Sequence, residues 1–152
     1  MSERIETAAL RDFSVSLCRA AGLSADTAAL LTDSILFAEC RGVTSHGLLR
    51  LPQYIARLRS GATASNVPMP FTMESGGTAR LDAQNGLGQL AGRKASDKAE
   101  ELAAEYGVSF VAVANSNHFG TGAWYAIPAA RRGFFAFNIS SAASAMAPHG
   151  AS

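Results

Sequence analysis

The sequence lacks most features of secreted, membrane or nucleic-acid-binding proteins. Cys18 and Cys40 are the two cysteines in 152 residues, too few for a disulfide framework, and we expect both to be reduced packing residues in helices. No apolar run approaches the roughly 20 residues that span a bilayer, and the acidic amino terminus does not resemble a signal peptide. The net charge of +1 leaves no basic surface for nucleic acid. We therefore expect a cytoplasmic protein without nucleic-acid or membrane partners.

The hydrophobic pattern predicts an α/β protein with helices at its amino terminus. At 48% hydrophobic residues the chain can bury a core of ordinary domain size. Apolar periodicity and glycine or serine boundaries predict helices at residues 3–21, 24–41, from about 45 to 60, 87–106 and 122–132, and strands at 78–83, 108–114 and 134–139. Residues 62–77 are expected to form an extended connector. The predicted division is a helical segment with its connector at 1–74 and the first part of an α/β domain at 75–152.

The strand predicted at residues 108–114 is almost uniformly apolar, as is typical of a strand covered on both faces in a parallel or mixed sheet. With the helix at 122–132 and the strand at 134–139 it would form a strand-helix-strand unit whose two strands are parallel. Ligands of such sheets bind beyond the carboxyl ends of the strands. These ends are residues 115–120 and 140–143.

One motif, Thr44-Ser45-His46-Gly47 followed by Arg50 and Tyr54, pairs a proton carrier with an anion-binding group. If a helix begins near Ser45, positions 46, 50 and 54 lie on one face. Histidine titrates near neutral pH, and arginine can hold a carboxylate through two hydrogen bonds. Pro52 fits this helix only in a first turn or at a kink. The spacing leaves two interpretations open: a site for a small carboxylate, or an exposed polar face.

A second histidine lies in the loop of residues 115–122, after a predicted strand and before a helix. Free backbone amides and a positive helix end at such a position can meet an anionic ligand. Gly120-Thr121-Gly122 begins like a dinucleotide-binding loop, but Tyr125 occupies the place of the next glycine, so the ordinary Rossmann fingerprint is absent. The alternative is that Asn115, Asn117 and His118 only satisfy the backbone of a turn.

These segments, together with Ala147-Pro148-His149-Gly150, resemble the malate/L-lactate dehydrogenase family. That family is unrelated to the Rossmann lactate dehydrogenases and includes ureidoglycolate, 2,3-diketo-L-gulonate and cyclic-imine acid oxidoreductases. The similarity extends over essentially the whole chain. It implies a non-Rossmann NAD(P)-binding fold, a homodimer, and hydride transfer between the nicotinamide of NAD or NADP and C2 of a small 2-hydroxy or 2-oxo acid.

The resemblance also implies residue roles. His46 would be the general acid/base at the substrate oxygen, and Ser45 would orient its imidazole. Arg50, with Tyr54 beside it, would hold the substrate carboxylate. The pocket for cofactor and substrate would be lined by His118, Phe119, Gly120, Thr121 and Gly122. Because His118 is regarded as the base in some relatives, both histidines stay candidates.

The chain departs from the family pattern at its carboxyl end. Family members continue from a Pro-x-Gly-Gly turn into further sheet and cofactor contacts, whereas this sequence reads Pro148-His149-Gly150-Ala151 and stops at Ser152. We therefore expect an amino-terminal portion of such an enzyme. One alternative is a non-catalytic fragment that needs a partner chain. The other is a metal-binding module that uses His46, His118 and His149.

Overall fold

The computed structural model describes residues 5–141 and confirms the mixed α/β class. The helices are α1 (Thr7–Ala20), α2 (Ala25–Glu39), α3 (Leu51–Arg59), α4 (Gly88–Tyr106) and α5 (Ala123–Arg131), and the strands are β1 (Phe71–Ser75), β2 (Thr78–Asp82) and β3 (Phe110–Ala114). The predicted turn at 147–150 lies outside the described residues. None of the helices described for residues 5–141 has the length and apolar composition of a membrane-crossing segment.

The first three helices enclose one core. Ser24 caps α2 as predicted, because its Oγ accepts a hydrogen bond from the Thr27 amide at 3.3 Å. Cys18 is fully buried in this core, as expected for a packing residue. Cys40 is exposed at the end of α2, so the prediction that it is a packing residue was wrong. The buried core residues are Cys18, Leu23, Ala28, Leu31, Ile35, Leu51, Tyr54, Leu58 and Leu87.

The sheet has the order β1-β2-β3, with β1 antiparallel to β2 and β2 parallel to β3. Helix α4 therefore connects the two parallel strands, β2 and β3. The predicted parallel pair was residues 108–114 and 134–139, so the observed pair begins one strand earlier in the chain. The prediction of residues 62–77 as a connector was wrong for β1. This five-residue strand lies between the proline pair Pro68 and Pro70 and the turn at Gly76 and Gly77, so turn residues obscured it.

The strand predicted at residues 134–139 is not formed, and these residues pair with no strand in the described part of the chain. Phe135 is 95% exposed, Phe137 77% and Ile139 78%. An apolar, β-prone segment becomes a strand only when a neighbour accepts its hydrogen bonds. Strand β3 likewise is not covered on both faces, since Phe110 and Val113 are exposed.

Candidate functional site

His46 does not lie on the helix that carries Tyr54, so the predicted stripe on a single helix was wrong. Thr44–His46 and Leu48–Arg50 form two short 3-10 turns, and α3 begins only at Leu51 with Pro52 in its first turn. Between the turns Gly47 has φ −93° and ψ −142°, which is not a helical conformation. The Leu48 amide donates instead to the Glu39 carboxylate at 2.8 Å. A tertiary bond to α2 thus replaces the first turn of the expected helix.

The folded chain nevertheless brings both histidine segments together. The ring centroids of His46 and His118 lie 5.4 Å apart, and those of Tyr54 and His118 lie 6.0 Å apart. The Tyr54 hydroxyl oxygen is 2.6 Å from His118 Nδ1. Ser45 Oγ lies 3.0 Å from His46 Nδ1, as expected for a side chain that orients the ring. Two proton-carrying rings therefore share one site.

The loop that carries His118 is held by the amide side chains of Asn115 and Asn117, which bond to side chains as well as to the backbone. Asn115 has φ +51° and donates from Nδ2 to Asp82 Oδ1 at 3.0 Å, a bond that holds the pKa of that carboxyl below its usual range. Asn117 donates to the Asn85 carbonyl at 2.9 Å and accepts from Arg57 at 2.8 Å. These bonds fix His118 at the carboxyl end of β3.

Gln89, in the first turn of α4, is a site neighbour that the sequence did not reveal. It is 1% exposed, and its Nε2 donates to the Tyr54 hydroxyl at 2.7 Å. Its Oε1 is buried without a hydrogen-bond partner among the described residues. The sequence contains only a weak indication of this role, because Gln89 is a single polar residue among the buried positions at the start of α4, which include Gly88 and Ala91.

A small cationic pocket of about 270 Å³ opens beside His118. Arg50 is fixed there by hydrogen bonds from its Nε to the Ser45 carbonyl at 2.7 Å and from Nη1 to Gln53 Oε1 at 3.0 Å, while its other N–H donors are available to a ligand. Arg57 was not predicted, although it lies three residues after Tyr54 on the same face of α3. The lining residues, none of them acidic, are Arg50, Gln53, Tyr54, Arg57, Thr63, Leu87, Asn117 and His118.

The pKa values of His118 and Tyr54 are both shifted in the direction that favours the neutral side chain. Partial burial lowers the pKa of His118, and the charges of Arg50 and His46 lower it further. Burial raises the pKa of Tyr54, against a smaller lowering by its hydrogen bond from Gln89. At neutral pH His118 is therefore an uncharged imidazole, and Tyr54 is an intact hydroxyl that can both donate and accept a hydrogen bond.

A wider groove of about 1230 Å³, also lined by His118, lies between α4, β3, α5 and residues 134–141. His46, His118, Phe119 and Gly120 are among its lining residues, and most of its walls are apolar. The Phe119 ring stacks on Tyr125 with centroids 5.4 Å apart. Of the five residues predicted to line this region, Thr121 and Gly122 lead into α5 without lining the groove.

The described residues contain no group of three histidine, cysteine or acidic side chains arranged to hold a metal ion. His46 and His118 are neighbours, but His149, the third histidine of the metal-binding alternative, lies outside residues 5–141. The metal-binding alternative therefore has two of its three ligands together in the part of the chain that the structure describes.

Comparison with known proteins decides the family. The model of the family described as malate/L-lactate dehydrogenase matches residues 5–152. The chain belongs to this family. The malate/L-lactate dehydrogenase resemblance seen in the two histidine motifs is thereby confirmed, while the homodimer, the cytoplasmic location and the division at residue 74 stay predictions.

Individual members of the malate/L-lactate dehydrogenase family match over a limited part of their own length. A malate dehydrogenase from Pyrococcus abyssi is 33% identical over 97% of this chain and 41% of the relative. The (2R)-3-sulfolactate dehydrogenase (NADP(+)) from Chromohalobacter salexigens is 35% identical over 99% of this chain and 45% of the relative. The solved malate dehydrogenase of Pyrococcus horikoshii superposes with a TM-score of 0.83 at 31% identity, covering 86% of this chain and 38% of that structure. The chain thus spans less than half of each.

Proposed function

We propose that this site serves NAD(P)-dependent hydride transfer between nicotinamide and C2 of a small 2-hydroxy or 2-oxo acid. The observation that carries the proposal is the His46 and His118 pair: His118 lines both a small cationic pocket and a wide, mostly apolar groove, and His46 lines the groove beside it. An acid substrate needs the first environment and a planar cofactor ring needs the second. The names of the relatives, which include malate and sulfolactate dehydrogenases, support this chemistry.

The cationic pocket suits the acid. Its volume of about 270 Å³ lies just below the usual range for small-ligand sites, which favours a compact substrate. Arg50 holds the substrate carboxylate with the N–H donors that its bonds to Ser45 and Gln53 leave available. Because Arg57 lines the same pocket and no described lining residue is acidic, a second anionic group on the substrate is also favoured.

His46 and His118 have different roles at the substrate oxygen. His46 is the general acid/base: it gives its proton to the oxygen on C2 during reduction and takes it back during oxidation. Ser45 orients the His46 ring through Nδ1. His118, whose Nδ1 is bonded to Tyr54 and whose pKa is lowered, stays neutral and binds the same oxygen by a hydrogen bond.

The wide groove fits a nicotinamide ring, because apolar walls meet the imidazoles of His46 and His118 at one end and the Phe119 ring is held there by stacking on Tyr125. When bound, the reduced ring supplies the hydride that adds to C2. His118, Phe119 and Gly120, which line the groove, would hold the ring and exclude water beside it. Thr121 and Gly122 set the start of α5, because their carbonyl oxygens accept hydrogen bonds from the amides of Trp124 and Tyr125, each at 3.1 Å.

The proposal is tested by the absorbance of NADH and NADPH in the presence of 2-oxo acids that carry one or two anionic groups. The assay uses the 152-residue chain alone and the same chain joined to the carboxyl-terminal part of a relative. Activity of the joined protein alone would favour the alternative in which this chain needs a partner segment. Failure of the folded joined protein to oxidise either cofactor with any acid would contradict the proposal.

Two variants and one control assign the roles. Charge-assisted hydrogen bonds contribute about 1.5–3 kcal/mol, so Arg50→Gln is expected to lower kcat/KM about 10- to 150-fold, mainly through KM. His46→Asn removes the proton carrier and is expected to lower kcat by about 100-fold or more. Arg59→Gln changes an exposed arginine at the end of α3 that does not line the pocket, and activity should be retained.

A further inference from the structure

Three side chains from different elements form a continuous hydrogen-bonded chain behind the site. Gln89 of α4 lies 2.7 Å from the Tyr54 hydroxyl of α3, and that hydroxyl lies 2.6 Å from His118 Nδ1 in the loop after β3. Gln89 and Tyr54 are 1% and 6% exposed. Gln89 lines neither the cationic pocket nor the groove, so any effect it has on chemistry passes through Tyr54.

The donor and acceptor atoms determine the direction of the hydrogen bonds between Gln89, Tyr54 and His118. An amide nitrogen only donates, so the Tyr54 oxygen accepts from Gln89 Nε2. The single hydroxyl proton of Tyr54 is then free to donate to His118 Nδ1. A ring nitrogen that accepts carries no proton, so the neutral ring bears its proton on Nε2. In this arrangement His118 offers an N–H donor to a ligand.

The amide of Gln89 also has a second way to bond. Its Oε1 is buried without a partner among the described residues. If the amide turned over about its last bond, Oε1 would accept the Tyr54 hydroxyl proton, and the Tyr54 oxygen would accept from a protonated Nδ1. Nε2 of His118 would then carry a lone pair and could accept a proton. The orientation of the buried Gln89 amide therefore decides whether His118 Nε2 is a hydrogen-bond donor or a base.

We propose that Gln89 is a positioning residue that sets, through Tyr54, which ring nitrogen of His118 carries the proton. The inference rests on the proposed function at one point: the substrate oxygen is the group to which the His118 proton is donated. With the amide as it stands, His118 Nε2 donates to the substrate oxygen and proton transfer falls to His46. Reversal of the amide would make His118 the base, which gives one physical reason why either histidine of such a pair can serve.

The test is the ¹⁵N spectrum of the histidine rings, which reports the tautomer without any turnover. The chain has three histidines, so single His→Asn variants assign every signal. Spectra are recorded at about pH 8, above the ordinary histidine pKa of about 6.5, where the rings are neutral. In the unsubstituted protein we expect His118 to be protonated on Nε2.

In its ionised form the Gln89→Glu side chain has only acceptor oxygens, so the Tyr54 proton is drawn to it and His118 is expected to switch to the Nδ1–H form. Gln89→Met keeps the length of the side chain without a donor or acceptor, and a mixture of the two tautomers is expected. In a Tyr54→Phe background the relay is cut, and Gln89→Glu should no longer change the His118 tautomer.

An unchanged His118 tautomer in both Gln89→Glu and Gln89→Met would overturn the inference, and an equal shift with and without Tyr54 would show that the effect bypasses the relay. Circular dichroism identifies the variants that fold. If the buried glutamate prevents folding, Gln89→Met decides alone: a tautomer mixture supports the proposal and a single unchanged form refutes it. Because no cofactor is used, a negative nicotinamide assay would refute the proposed function and leave this result intact.

Discussion

Tyr54→Phe removes one oxygen atom from the centre of the site and leaves the apolar ring in place. The ring packs in the core of the first three helices, so its contribution to the hydrophobic effect is largely retained. The hydroxyl accepts a hydrogen bond from Gln89 Nε2 at 2.7 Å and is bonded to His118 Nδ1 at 2.6 Å. Both partners lose a bond in the variant.

The expected loss of unfolding free energy follows from these two bonds. A net contribution of about 0.5–1.5 kcal/mol for each bond gives about 1–3 kcal/mol. Gln89 is 1% exposed and its Oε1 is already without a partner, so stranding Nε2 as well adds a desolvation penalty of about 1–3 kcal/mol. These terms overlap, because both describe the Gln89 bond. We expect a total of about 2–3 kcal/mol.

Urea unfolding followed by the fluorescence of the single tryptophan, Trp124, measures this loss. With a denaturant slope of about 2 kcal/mol per molar, the midpoint should fall by about 1 M or slightly more. Tyr106→Phe is the matched control, because Tyr106 is 50% exposed and its change should stay within about 0.5 kcal/mol. If Tyr54→Phe and Tyr106→Phe lower the free energy of unfolding equally, the hydrogen bonds of the buried Tyr54 hydroxyl do not contribute the expected stability.

Three further changes have defined outcomes. Gly88→Ala would place a methyl group against the backbone carbonyls of Asn117 and His118, so we expect a loss of about 1–3 kcal/mol by urea unfolding and displaced His118 resonances. Ser24→Ala removes the cap of α2 and should cost about 1 kcal/mol in the same assay. Because the folded pKa of His118 is lowered, the folded state resists protonation: stability should be complete above pH about 6.5 and fall as pH drops through the folded pKa.

Each of these predictions has its own control. Ser96→Ala tests a small substitution elsewhere on α4 and should leave the His118 resonances in place. Ser16→Ala changes an exposed serine inside α1, and equal losses for this variant and Ser24→Ala would refute the cap argument. His118→Gln should flatten the fall in stability just below pH 6.5, and an unchanged slope would assign that fall to another group.

The local parts of this fold were predictable because local chemistry determines them. Gly107 ends α4 in the left-handed conformation at φ +81°, which the sequence predicted from glycine alone. Ser24 caps α2 for an equally local reason. The prediction of residues 134–139 as a strand failed because pairing depends on a neighbouring strand, which the apolar pattern does not specify.

The site was predictable by residue type and less so by geometry. His46, Arg50 and His118 were chosen for their chemistry, and the structure brings them together. The single helix expected to carry His46 and Arg50 is interrupted at Gly47, where the next amide, that of Leu48, donates to the Glu39 carboxylate 9 residues earlier in the sequence. Gln89 was missed because a single glutamine in a helix has no motif; its significance comes from contacts with Tyr54, 35 residues away.

The most direct test of the account follows the hydride itself. The chain joined to the carboxyl-terminal part of a relative would reduce a 2-oxo acid with nicotinamide cofactor deuterated at the transferring carbon, and mass spectrometry would locate the label. The account predicts deuterium at C2 of the hydroxy acid, with a yield that falls in Arg50→Gln and His46→Asn and persists in Arg59→Gln. Product without deuterium at C2, or a labelled yield that neither site variant lowers, would contradict the site described around His46 and His118.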